Sequence, residues 1–155
     1  MNILICGADG FLGATIAAAL QARGHTVLRG VHRPRLPGDV AVDYRRDLAP
    51  DDWLPRLAGV DAVVNAVVNA VGILREREPD DFDRIHRRAP AALFRACALA
   101  GIRRVVQISA LGAAPTDYLR SKHAADRVLL EETAQGVVLR PSLIFGENGA
   151  STRFF

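Results

Sequence analysis

Cysteine is scarce in this chain, with Cys6 and Cys97 alone among 155 residues. One falls in a short apolar run and the other in a helical pattern, and no further ligand cluster accompanies them. They read as small core residues, so neither a disulfide nor a metal site is expected. Aromatic residues are also few, at 6%. The formal charge is +3, with the arginine excess spread along the chain. Its densest group, Arg84, Arg87 and Arg88, lies in a helical pattern and reads as a solvated face. A nucleic-acid groove calls for a basic stripe interleaved with aromatics, which the sequence lacks, so no nucleic-acid role is expected. No apolar run reaches the length of a membrane span. The opening MNILICGADG has no basic n-region or long apolar core and does not read as a secretory signal. A reducing cytoplasm is the expected location.

What is present is a half-hydrophobic chain, long enough for one compact domain over residues 1–155 and too short for two. Strand-like runs at Asn2–Cys6, Thr26–Val31, Val40–Val42, 63–72, Arg104–Ser109 and Val137–Ile144 alternate with helical patterns. The helical patterns are Phe11–Arg23, Asp51–Leu57, Asp80–Ala100 and Asp117–Glu132. Alternation of Val- and Ile-rich strands with helices predicts a parallel sheet of about six strands, covered on both faces. Right-handed crossovers make this a doubly wound α/β (Rossmann) fold, with ligands beyond the carboxyl ends of the strands.

Between the first strand and the first helix stand Gly7, Ala8, Asp9, Gly10, Phe11, Leu12 and Gly13. A phosphate approaches backbone N–H groups closely only where no Cβ intrudes, and the helix that follows supplies a positive dipole end. The context of strand, glycine turn and helix makes this a dinucleotide-binding turn. The second strand ends in Val31, His32, Arg33, Pro34 and Arg35. An NAD site commonly has a carboxylate there for the ribose 2′-hydroxyl, and none is present. Arg33 and His32 instead suit a 2′-phosphate, so NADP(H) is favoured, with NAD(H) as the alternative. Tyr118 and Lys122, one helical turn apart, share a face. The ammonium is expected to favour phenolate and lower the phenol pKa.

The glycine turn resembles that of the short-chain dehydrogenases/reductases of the extended or atypical kind. So do Asp47-Leu48, Asn69-Ala70-Val71-Gly72, Tyr118-Leu119-Arg120-Ser121-Lys122 and Leu139-Arg140-Pro141. The subgroup it looks closest to includes bacterial NAD(P)-binding epimerase/dehydratase-like proteins and the nucleotide-binding accessory subunit of respiratory complex I. The resemblance implies an NAD(P)-dependent oxidoreductase or epimerase that transfers a hydride, with Tyr118 as acid/base and Lys122 tuning it and holding the nicotinamide ribose. It implies cofactor contacts at Gly7, Asp9, Gly10, Phe11, Leu12, Gly13, His32, Arg33, Asp47, Leu48, Asn69, Ala70, Val71, Gly72, Lys122 and Pro141. Asp47 would meet the adenine amino group. Ser109 is the candidate for the family's substrate-polarising hydroxyl, although it stands only nine residues before Tyr118, and Ala110 occupies the place where many members carry it. The partners implied are the dinucleotide, a small-molecule substrate and a second copy of the chain, since family helices at these positions often pair. Extended members continue into a substrate lobe, so the chain is expected to be a fragment. The competing reading is a non-catalytic NADPH-binding module with a structural or redox-sensing role.

One feature departs from the resemblance. Residues 63–70 read VVNAVVNA, a tandem copy of four residues. An even insertion keeps every strand side chain on its own face. Two registers are then open, and the favoured one has Asn69–Gly72 at the cofactor, with the extra copy displacing the Asp61 end. In the other, Asn65 and Ala66 meet the cofactor and the second copy bulges after the strand.

Overall fold

The computed structural model describes residues 1–65, 82–113, 115–142 and 144–146. Six strands, β1 (Asn2–Cys6), β2 (Thr26–Val31), β3 (Val40–Ala41), β4 (Ala62–Asn65), β5 (Arg104–Ile108) and β6 (Gln135–Leu139), form one sheet. Their order is β3-β2-β1-β4-β5-β6, and every pairing is parallel. The chain therefore winds outward in one direction from β1 and in the other from β4. The crevice between those two strands is where a doubly wound sheet receives its ligand.

Helix α1 (Phe11–Gln21) covers one face, over Ile3, Ile5, Val31, Val64 and Ile108. The other face takes helix α2 (Pro50–Trp53), the 3₁₀ turn Leu54–Leu57, helix α3 (Ala89–Leu99) and helix α4 (Asp117–Glu132). Its core is built on Leu4, Cys6, Trp53, Val63, Leu93, Phe94, Val105 and Leu129. The α1 face thins towards β6, where Val137 and Leu139 are about half exposed.

Three segments differ from the sequence pattern, each for a local reason. The last strand runs Gln135–Leu139 rather than Val137–Ile144, because Pro141 has no N–H to continue a ladder. The helix expected over Asp80–Ala100 is interrupted by a π-helical segment at Asp83–Arg88. Pro90 cannot donate to the carbonyl four residues back, at His86, and its ring crowds that oxygen. The ladder widens instead, and the Ala89 N–H bonds to the Arg84 carbonyl.

The third difference corrects the favoured register of the duplication. The first copy occupies the sheet: Val63 pairs with Leu4 and Val105, and Asn65 with Cys6 and Gln107. Asp61 is not displaced. Its N–H donates to Asn2 O, and its carboxylate accepts from Asn2 N at 2.7 Å, which pins the start of the strand. At the other end Asn65 is 2% exposed and fully committed. It accepts from the Tyr44 hydroxyl at 2.7 Å and donates to Gln107 Oε1 at 2.7 Å. A buried amide with both ends satisfied holds a strand in one register.

Candidate functional site

The crevice has two flanks. On the first, the chain leaves β1 through Gly7, whose φ of +80° suits glycine. Gly7 N and Ala8 N both donate to Gly30 O, which ties the turn to β2. A Cβ on Gly13 would stand 2.0 Å from the Gly7 carbonyl oxygen, so only glycine lets the helix lie this close to the turn. Gly10 is the N-cap of α1, and the first turn of that helix carries neither a side-chain cap bond nor an acidic residue. The positive end of the helix is thus left for an outside anion. A cradle without side chains over an uncapped helix end fits the diphosphate of a dinucleotide. Asp9 is exposed at the rim, while Phe11 and Leu12 are half-buried. The backbone at Gly146 runs against the Phe11 ring, where a Cβ would come within 2.3 Å.

At the end of β2, His32 and Arg33 are exposed as expected. The fold also brings a carboxylate that position along the chain did not reveal: Asp43 Oδ1 lies 3.8 Å from His32 Nδ1, with Arg46 Nε 3.8 Å from its other oxygen. Asp43 belongs to the segment after β3, and no signal in the sequence tied it to the end of β2. Asp47 is buried at 7% and already engaged. Its carboxylate accepts from Asp43 N and from both terminal nitrogens of Arg56, at 2.7 and 3.1 Å, and its carbonyl accepts from Trp53 Nε1. Leu48 packs against the core beside it. Asn69, Ala70, Val71 and Gly72 lie outside the described residues.

The second flank is α4 and the π-helical segment. Thr116 caps α4, accepting from Leu119 N. Lys122, the one lysine of the chain, is 1% exposed, with Nζ 5.8 Å from the centroid of the Tyr118 ring. Burial brings its pKa down to about 8, against a smaller upward pull from Asp126. Tyr118 differs from expectation: its pKa is raised, by burial. The ammonium sits by the ring, and desolvation of the phenol decides the direction.

His86, which the sequence pattern did not single out, joins this group. The widened turn at Asp83–Arg88 buries it to 2%, stacked on Phe82 with centroids 5.3 Å apart and edge-on to Tyr118 at 5.2 Å. Its Nδ1 lies 3.2 Å from Ser121 Oγ, and Ser121 donates to the Tyr118 carbonyl. Burial, then the charge of Lys122, bring its pKa down to about 3. Pro90 was the available sequence signal.

Ser109 does not join Tyr118. It is 2% exposed, and its hydroxyl donates to Asp126 Oδ2 at 2.8 Å. Asp126 is two helical turns beyond Tyr118, about 12 Å along the axis, so this hydroxyl serves the packing of β5 on α4. The Ala110 carbonyl lies 3.2 Å from His123 Nε2. Pro141 stands beside the end of β5, its carbonyl accepting from Leu111 N.

The six-stranded parallel sheet agrees with what comparison finds. Residues 3–155 match the NAD dependent epimerase/dehydratase family. The chain belongs to that family. It is 33% identical over 155 residues to an Arabidopsis thaliana mitochondrial protein, NADH dehydrogenase [ubiquinone] 1 alpha subcomplex subunit 9, a match covering 92% of this chain and 38% of that one. It is 31% identical to the 2-alkyl-3-oxoalkanoate reductase of Stenotrophomonas maltophilia, over 94% of this chain and 52% of that one. The chain thus spans from over a third to about half the length of these relatives. Among solved structures, a putative NAD-dependent epimerase/dehydratase from Bacillus halodurans superimposes with a TM-score of 0.78 at 22% identity, covering 97% of this chain and 74% of its own. The Bordetella bronchiseptica enzyme WbmH, solved with NAD+, gives 0.76 at 18%, covering 98% and 59%. At these identities the structures share the fold. Among the described residues no group of His, Cys, Asp and Glu could hold a metal, and no helix is long and apolar enough to cross a membrane.

Proposed function

We propose that this chain is the dinucleotide-binding part of a reductase that uses NADP(H) to reduce a carbonyl in a small molecule, with Tyr118 as the general acid. The observation that carries the reading is the Tyr118–Lys122 pair near the start of α4, at the same carboxyl edge of the parallel sheet as a glycine cradle suited to a diphosphate. The dinucleotide supplies the hydride. Gly7, Gly10 and the start of α1 bind its diphosphate, Arg33 and His32 meet the 2′-phosphate, and Lys122 holds the nicotinamide ribose. Tyr118 gives its proton to the carbonyl oxygen as that oxygen gains charge. Burial keeps the phenol protonated, which suits an acid and so the direction of reduction. A 3-oxoacyl compound is the first substrate class to try, because one relative is a reductase of that kind. The reducing cytoplasm suits the two free, buried thiols, and a second copy of the chain is the expected protein partner.

The second reading, a module that holds NADPH without turnover, is favoured by Ser109. Its hydroxyl is spent on Asp126, which leaves Tyr118 without that polarising partner. Side-by-side fluorescence titration with NADPH and NADH, followed by turnover on 3-oxoacyl substrates, separates the two. The reductase reading expects tight NADPH binding and turnover that Tyr118→Phe lowers at least about a hundredfold while binding is kept. NADPH binding without turnover, in the chain joined to its remaining length, would leave the module. Binding of neither cofactor would sink both.

A further inference from the structure

A lysine that has lost nearly all of its water needs something to keep its charge, because desolvation favours the neutral amine. Lys122 is in that position at 1% exposure. Tyr118 and His86 face it and are neutral in the working range: burial raises the phenol and brings the imidazole down to about 3. Asp126 lies one turn further along α4, on the same face. Arg140, from the segment after β6, reaches the same carboxylate, and Ser109 bonds to it from the end of β5. Among these neighbours Asp126 alone brings negative charge.

The bonding of Asp126 is uneven. It is 0% exposed. Oδ2 accepts from Ser109 Oγ at 2.8 Å and from Arg140 Nε at 3.0 Å, with Arg140 Nη2 also 3.0 Å away. Oδ1 is buried and has no hydrogen-bond partner among the described residues. A buried carboxylate oxygen without a donor is costly unless a charge nearby compensates it. Lys122, one turn back on the same face, carries a positive charge that interacts with Asp126.

We infer that Asp126 is the positioning residue for Lys122: its unbonded oxygen serves as the counter-charge that keeps the ammonium protonated beside Tyr118, while Ser109 and Arg140 hold the carboxylate in place through the other oxygen. Arg140 then has two opposite effects. It fixes Asp126, and it takes up part of the negative charge that Lys122 would otherwise feel. The functional importance of this coupling rests on the proposed role of Lys122, but the coupling itself exists or not without any cofactor.

Because the chain has one lysine, lysine labelled with ¹³C at Cε gives a single side-chain signal. Its titration in the whole, cofactor-free chain should have a midpoint near 8. Asp126→Asn should move the midpoint down by about one pH unit or more, and Asp126→Glu should restore most of it. Arg140→Gln, at a side chain 45% exposed, should move it up. Opposite signs in the two variants are the signature, since general loosening of the fold would carry the lysine towards its ordinary value in both. If Asp126→Asn does not fold, Arg140→Gln decides, provided that its urea midpoint matches the native chain's and so excludes loosening as the cause of the rise. A midpoint unchanged or raised in Asp126→Asn, or unchanged or lowered in Arg140→Gln, overturns the inference. Loss of cofactor binding with these shifts intact would defeat only the proposed function.

Discussion

On the proposed function, the β1–α1–β2 flank offers a ligand the backbone N–H groups of the first turn of α1, whereas the α4 flank offers the side chains of Tyr118 and Lys122. The first flank works because side chains are missing: a Cβ on Gly13 would overlap the Gly7 carbonyl oxygen. The second works because side chains are buried together, so that Lys122, His86 and Tyr118 all shift away from their ordinary proton affinities. A backbone cradle is insensitive to pH and intolerant of added volume. A buried side-chain site tolerates some reshaping and is sensitive to every neighbouring charge.

Substitution at the cradle should break this contrast most severely. Gly13→Val forces α1 off the turn and should cost about 3 kcal/mol or more, seen as a lower urea midpoint together with loss of dinucleotide binding. Gly10→Ala, whose Cβ would sit 3.3 Å from the same oxygen, should cost far less.

Acid should act on the other flank. The folded pKa of His86, about 3, lies below its ordinary 6.5, so the unfolded chain takes the proton first. The stability due to the neutral ring is complete above about 6.5 and is lost as pH falls towards 3, on the order of a few kcal/mol. Urea midpoints at pH 7 and pH 4.5 should therefore differ more in the native chain than in His86→Gln.

The two copies of VVNA offer a sharper division. Asn65→Ala strands the Tyr44 hydroxyl and the Gln107 amide and should cost about 2 kcal/mol of stability. Asn69→Ala, in the second copy, should lower the urea midpoint far less, because the pairing of Asn65 with Cys6 and Gln107 sets the register. Equal effects of both on stability would end that assignment. The smallest expected change is at the rim of the cradle flank. Arg33→Ala should weaken NADPH about tenfold without touching NADH, and Asp43→Asn should strengthen NADPH by removing the carboxylate beside His32.

The cradle was legible because its signal is local. Three glycines at set spacing between an apolar run and an Ala-rich helix need no knowledge of the rest of the chain, and the boundaries of β1, β2 and α4 follow the sequence pattern closely. Where the structure departs from the sequence pattern, a distant partner decided. Asp43 meets His32 only after β3 pairs with β2. Ser109 is drawn to Asp126, seventeen residues on, by the packing of α4 over β5. The phenol of Tyr118 was expected to move down, yet the weight of buried surface around it moved it up.

The sequence by itself determined the alternation of strands and helices, the glycine cradle and the pairing of Tyr118 with Lys122 on one helical face. Each of these depends on spacing over a few residues and on the presence or absence of a Cβ. Tertiary structure alone decided which VVNA copy enters the sheet, that Pro90 turns His86 into the wall of the site, and what charge Lys122 can keep. Those outcomes depend on how much water each group loses and on which charges face it, and both are set by contacts between segments far apart in the chain.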